Sequence, residues 1–144
     1  VYVTGNLTYS DESKDILGLV GNGAVWVWNP MTGSTFNPSP LLTDSSTGRT
    51  IEAAILSVSH TFQVQNFDLG GTARGTLTVR GSIAQKFRGT VAYGTTGYVK
   101  DYAYDSRFSY MAPPKFLSPV SSAYGVTQFS GVPAAFKATG ANGP

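Results

Sequence analysis

The sequence predicts an all-β protein, and within that class a short β-solenoid closed at its C-terminal end by an aromatic cap; a β-sandwich is the alternative. Three observations lead there. Short apolar runs rich in valine, isoleucine and aromatic residues recur along the chain, each broken by a glycine or other small corner: VYVTGNL (1–7), LGLVGNGAV (17–25), AAILSVSHTF (53–62) and TLTVRGSIAQKF (76–87). They form a weak repeat of short strand, corner and second short strand, with loops of unequal length between copies, whereas a sandwich calls for longer alternation and regular turn spacing. Charged residues are only 12% of the chain, about half the usual fraction of roughly 25%. Glycine, serine, threonine and asparagine fill the gap, which suits an extracellular or cell-surface β protein with a hydroxyl-rich exterior. Finally, Tyr98, Tyr102, Tyr104, Phe108 and Tyr110 pile up before a Pro113-Pro114 stop, the composition of a layer that covers the last turn of a stack.

The 144 residues suffice for a single domain with one core. The absence of cysteine excludes disulfides, thiolate metal sites and a cysteine nucleophile. No apolar run reaches the ~20 residues of a membrane-spanning helix, so no membrane insertion by these residues is expected. Val1-Tyr2-Val3 begins as though already inside a strand, and the chain reads as a mature piece or as a fragment of a longer protein.

Taken in order, residues 1–9 alternate around a Gly5-Asn6 turn signal, and Asp11, Glu12, Lys14 and Asp15 make a polar turn. Ile16 to Trp28 repeats the pattern around Gly21-Asn22-Gly23, which fits either a hairpin or a corner between two faces of one coil. A long loop at 29–50 carries Pro30, Pro38 and Pro40. From Thr50 to Phe67 the expected inward positions are Ile51, Ile55, Val58, Phe62 and Val64; a helix competes over 51–56, and the β-branched content beyond favours strands. Gly75 to Val91 reads as two short strands split at Arg80-Gly81. The tail at 137–144 (KATGANGP) reads as flexible.

The runs GTLTVRGSIAQKFRG and TGYVKDYAYDSRF, followed by PPKFLSPV, resemble the C-terminal part of bacterial type IV pilin-like and competence minor-pilin-like proteins with a PilX-type N-terminal segment. GNLTYSD and ILGLVGNGAVWVWNP resemble their upstream coils. The resemblance spans residues 3 to about 129 and is most specific over Gly81–Lys86 with Arg88-Gly89, and over Gly97–Asp105 with Arg107. It implies a right-handed β-solenoid domain displayed at the cell surface along or at the tip of a pilus or competence pseudopilus. Other pilin subunits would then be partners through an upstream region, and DNA or a surface polymer a ligand. The hydrophobic pilin helix of that family is not among the residues here.

Seven of the ten lysines and arginines fall between positions 74 and 115, interleaved with Phe87, Tyr93, Tyr98, Tyr102 and Tyr104. Cations for phosphates and flat rings for bases are what nucleic-acid binding requires, and Arg74, Arg80, Lys86, Arg88, Lys100 and Arg107 are the candidate DNA-binding residues. Against that reading, Arg88 and Arg107 can pair with Asp101 and Asp105, and the tyrosines can pack the cap. No catalytic residues, metal ligands or cofactor site are expected. His60 stands alone, Asp11, Glu12 and Asp15 match no calcium-loop spacing, and Gly21-Asn22-Gly23 lacks the Lys-Ser/Thr of a phosphate loop. The competing classes are a carbohydrate-binding module or carbohydrate-active enzyme, which would need a groove lined by two carboxylates, with Asp101 or Asp105 among them, and a structural filament subunit. Trp26 and Trp28 share one strand face by period two: facing outward they would form a binding strip, facing inward part of the core.

Overall fold

The computed structural model describes residues 1–32, 35–36, 48–71 and 73–116; the expected flexible tail lies outside them. Among these described residues ten strands form: β1 (Tyr2–Val3), β2 (Gly18–Gly21), β3 (Val25–Val27), β4 (Met31–Thr32), β5 (Thr35–Phe36), β6 (Gly48–Ser57), β7 (Phe62–Val64), β8 (Ala73–Gln85), β9 (Ala92–Tyr93) and β10 (Thr96–Tyr104), followed by a 3₁₀ turn at Ser106–Ser109. No helix of the described residues is long and apolar enough to cross a membrane. The protein is all-β.

The strands sort into two main sheets. One is the parallel ladder β1-β3-β7, with Val64 donating its amide onward to the Thr90 carbonyl. The other has the order β2-β6-β8-β10-β9, parallel except for the short antiparallel β9–β10 pair. Leu7 adds an isolated parallel bridge to Ile51, so the segment before β2 lies along the same side of β6. The chain therefore alternates: first sheet at β1, second at Leu7 and β2, first at β3, second at β6, first at β7, second at β8, first at Thr90-Val91, second at β10. Because β2 and β3 belong to different sheets, Gly21-Asn22-Gly23 is a corner and not a hairpin.

The core lies between the sheets. Val3, Val25, Val27, Phe62, Val64 and Val91 face Ile51, Ala53, Ile55, Leu77, Val79 and Tyr98 across it. Alternate residues of each strand point inward, which is why β-branched residues two apart, such as Val25 and Val27, are buried together while Trp26 and Trp28 turn outward.

Four expectations need correction. Val58 is 51% exposed, because β6 ends at Ser57 and the chain bends before β7. The long loop ends sooner than position 50: β6 starts at Gly48, and the excursion contains the small β4–β5 hairpin (Met31 opposite Phe36). Gly75 and Gly81 do not divide β8, which runs unbroken from Ala73 to Gln85 and matches all ten residues of β6. Their φ angles of 90° and 153° absorb the irregularity within one strand. The tyrosines do not close the end of the core: Tyr98 is buried, but Tyr102, Tyr104 and Tyr110 are 43%, 65% and 68% exposed. At their level the first sheet contributes, among the described residues, only Thr90-Val91. The part of the expected cap that follows Phe116 lies outside the described residues.

Candidate functional site

β10 places its side chains by register against β8. Lys100, Tyr102 and Tyr104 are aligned with Leu77, Val79 and Gly81; Leu77 and Val79 are fully buried in the core, so these three side chains share the core side of the sheet. Asp101 points the other way and accepts a hydrogen bond from Thr78 Oγ1 at 3.3 Å. Among the described residues no strand covers Tyr102 and Tyr104, and Gly81, in register with Tyr104, carries no side chain. The result is an open cavity of about 380 Å3, bounded by Val79, Gly81, Ser82, Ile83, Tyr102, Ala103 and Tyr104. Burial pushes the Tyr102 phenol up to about 12, against the opposing pull of the Arg88 charge nearby; its hydroxyl thus stays neutral and able to donate.

The turn after β8 carries Lys86 and Arg88, the latter near enough to Tyr102 for its charge to act on the phenol. Gln85 Oε1 accepts the amides of Phe62 (2.7 Å) and Gly89 (3.2 Å), and the His60 carbonyl accepts those of Lys86 and Phe87. These bonds pin the turn to the corner before β7. Gly89 is required there, since a Cβ at that position would stand 1.9 Å from the Phe62 carbonyl oxygen. Lys86, Phe87 and Arg88 project from the pinned turn into solvent, with the Lys86 ammonium 5.4 Å from the centre of the Phe87 ring. Nothing in the sequence marked Gln85 as the residue that orients this turn; an amide next to the Lys-Phe-Arg run is the one available signal.

The six candidate cations do not form one patch. Lys86, Arg88 and Lys100 belong to the open end of the core. Arg80 lies on the opposite face of the second sheet, in register with Glu52 of β6 and Ala103 of β10. Arg74 is half-buried against Tyr98, and burial draws its guanidinium pKa down. Arg107 is engaged within the molecule. Its guanidinium grips Asp105 (Nε to both oxygens at 3.0 Å, Nη2 to Oδ2 at 2.6 Å) and donates through Nη1 to the carbonyls of Glu12 and Asp15. It also lies 4.9 Å over the Tyr9 ring. This clamp holds the 3₁₀ turn against the polar loop at 9–15. The loop carboxylates are themselves occupied: Asp15 Oδ2 accepts the amides of Ser10 and Asp11, and Asp11 Oδ1 accepts from Ser13.

Beneath the clamp is a second cleft of about 250 Å3, lined by Glu12, Glu52, Arg80, Asp105 and the rings of Tyr9 and Tyr104 among others. Glu52 is only 6% exposed, and its Oε2 accepts the Tyr9 amide at 2.7 Å. Sequence reasoning missed Glu52; a lone carboxylate inside the apolar run IEAAIL was the signal for it. Of the two carboxylates weighed for a carbohydrate-active groove, Asp101 accepts a bond from Thr78 and Asp105 is held by Arg107.

The Arg107 guanidinium holds the Asp105 carboxyl below the usual carboxylate range. A carboxyl whose folded-state pKa is depressed stabilises the fold above its unfolded pKa of about 4, and that contribution disappears as pH falls through the folded value. Asp105→Asn is therefore expected to lower the melting midpoint at pH 7 and to flatten the acid limb of stability below about pH 4. An unchanged midpoint, or an unchanged limb, in melts from pH 7 to pH 2 would show that the clamp carries none of it.

On the outer face of the first sheet Tyr2 stacks on Trp26 (centroids 6.1 Å apart, planes 14° apart) and meets Trp28 edge-on at 5.4 Å. The strip reading of the two tryptophans is the one their outward orientation fits. Comparison with known proteins adds no family to this geometry: no protein-family model matches the chain, no curated protein matches it, and no solved structure matches it.

Proposed function

We propose that this chain is a non-catalytic binding domain of a pilin-like surface protein, folded as a short right-handed β-solenoid, and that its open C-terminal end binds DNA. The alternation of the chain between two parallel sheets supports the solenoid reading, and parallel crossovers are right-handed in nearly all proteins. One observation carries the DNA reading: among the described residues, Arg88 lies near enough to Tyr102 for its charge to act on the phenol, Lys86 and Phe87 precede it on the same exposed turn, and Lys100 and Tyr104 share the Tyr102 side of β10. Phosphates would be met by the three cations and bases by the rings. The site needs no cofactor or metal. Its place is extracellular or on the cell surface, with other pilin subunits as partners.

The test is a DNA titration over a salt series with wild type and a Lys86→Glu/Arg88→Glu/Lys100→Glu variant. Three phosphate contacts predict a slope of log affinity against log salt of about −2 to −3. The triple variant is expected to abolish most of that slope, while Arg80→Glu, on the opposite face, is expected to leave it unchanged. Absence of binding at low salt, or a triple variant that binds as wild type does, removes the reading.

A second reading is favoured by the Tyr2–Trp26–Trp28 strip, in which Tyr2 is exposed and the two tryptophans half-buried: an adhesin or carbohydrate-binding module that lays sugar rings on outward-facing aromatics. It predicts retention on insoluble polysaccharide that Trp26→Ala eliminates; equal retention of both proteins excludes it.

A further inference from the structure

We infer that the cavity at the open end of the core is a slot for one unpaired nucleobase, so that the domain takes single-stranded DNA in preference to duplex. The inference rests on the nucleic-acid reading and sharpens it. Val79, Gly81, Ser82, Ile83, Tyr102, Ala103 and Tyr104 bound the cavity, with Tyr102 and Tyr104 two residues apart on the same side of β10. At about 380 Å3 it falls at the small end of ligand cavities, roughly 300–1,000 Å3. That suits a single flat ring system, whereas the wall of a double helix has nothing to insert into it.

The chemistry of the rim agrees with an unpaired nucleotide. Lys100 stands two residues before Tyr102 on the same side of β10, and Arg88 stands close enough to Tyr102 for its charge to act on the phenol. A base placed between the tyrosine rings would thus have cations for its own and the adjoining phosphates. A base-paired stack hides the faces of its bases and presents only edges and backbone, which would leave both tyrosines unused. Aromatic platforms beside backbone-tracking cations are how sequence-tolerant proteins hold single strands. The exposed Tyr102 and Tyr104 rings beside the half-buried Ile83 make physical sense together if a flat, anion-linked group fills the space between them.

The experiment is fluorescence anisotropy with a labelled 12-nucleotide oligo-dT strand and with the same strand annealed to its complement, at one salt concentration. The proteins are wild type, Tyr102→Ala/Tyr104→Ala and the triple charge variant. Wild type is expected to bind the single strand on the order of tenfold or more tightly than the duplex. The double tyrosine variant is expected to lose that preference and keep its duplex affinity. Should the double variant fail to fold, Ile83→Phe, which narrows the slot without changing charge, is expected to reduce the preference in the same way. Equal or tighter duplex binding that still depends on Lys86, Arg88 and Lys100 overturns the slot and leaves the DNA reading standing. Binding of neither probe overturns both.

Discussion

Gly81→Ala is expected to destabilise the protein by at least about 3 kcal/mol, a large share of the roughly 5–15 kcal/mol that holds a domain of this size together. Gly81 sits mid-strand in β8 with φ at 153°, in register with Ala53 of β6 on one side and Tyr104 of β10 on the other. A Cβ there would lie 1.9 Å from the Ala53 carbonyl oxygen and 2.7 Å from its carbonyl carbon. Both are backbone atoms of a buried strand, so no side-chain rotation relieves the overlap. The strands must separate, and the ladder bonds between them are lost with little water to replace them. Urea denaturation of the variant beside wild type measures the effect. A midpoint within error of wild type would mean that β6 and β8 do not approach so closely at this point.

Phe62→Ala is expected to cost about 3–5 kcal/mol through lost burial and the cavity left behind. Phe62 is among the largest fully buried side chains, at the start of β7 and packed into the cluster with Val25, Val64 and Val79. Its amide stays bonded to Gln85 Oε1 in the variant, so the loss is one of packing alone. Val58→Ala, only four residues away, is the control. Its side chain is exposed, and a change within about 0.5 kcal/mol is expected. Equal losses at the two positions in denaturant titrations would contradict the in-and-out assignment of this corner.

Those two positions also show what the sequence conveys. Hydrophobic alternation located nearly every strand that forms the core, since period two follows from backbone geometry alone. It could not say where a strand ends, and Val58 was misassigned because the bend after Ser57 breaks the alternation without a glycine or proline to mark it. Glycine was read too simply: at Gly21 and Gly23 it does make a corner, but at Gly81 it lets a strand continue past a close neighbour. Local composition cannot separate these cases, because the difference lies in β6, some thirty residues away. The site was legible in part. The cations and rings were visible as a cluster in sequence, and so was the pairing of Arg107 with Asp105. Which strand cations share a face depended on register: Lys100 lies on the core side of the second sheet and Arg80 on the other. Glu52 and Gln85 act through partners distant in the chain, Tyr9 and Phe62, which no local pattern reveals.

Each pass of the chain is bonded only to the passes beside it, and this has a consequence for how the molecule breathes. β6 is held by Leu7 and β2 on one side and by β8 on the other, whereas among the described residues β10 beyond Gly97 is held by β8 alone. Opening should begin at the β10 end and reach β6 last, so that amide exchange runs as a gradient across the second sheet. A partner lodged beside Tyr102 would reinforce the loosest layer, and the rise in exchange protection on binding would be greatest where the free protein has least.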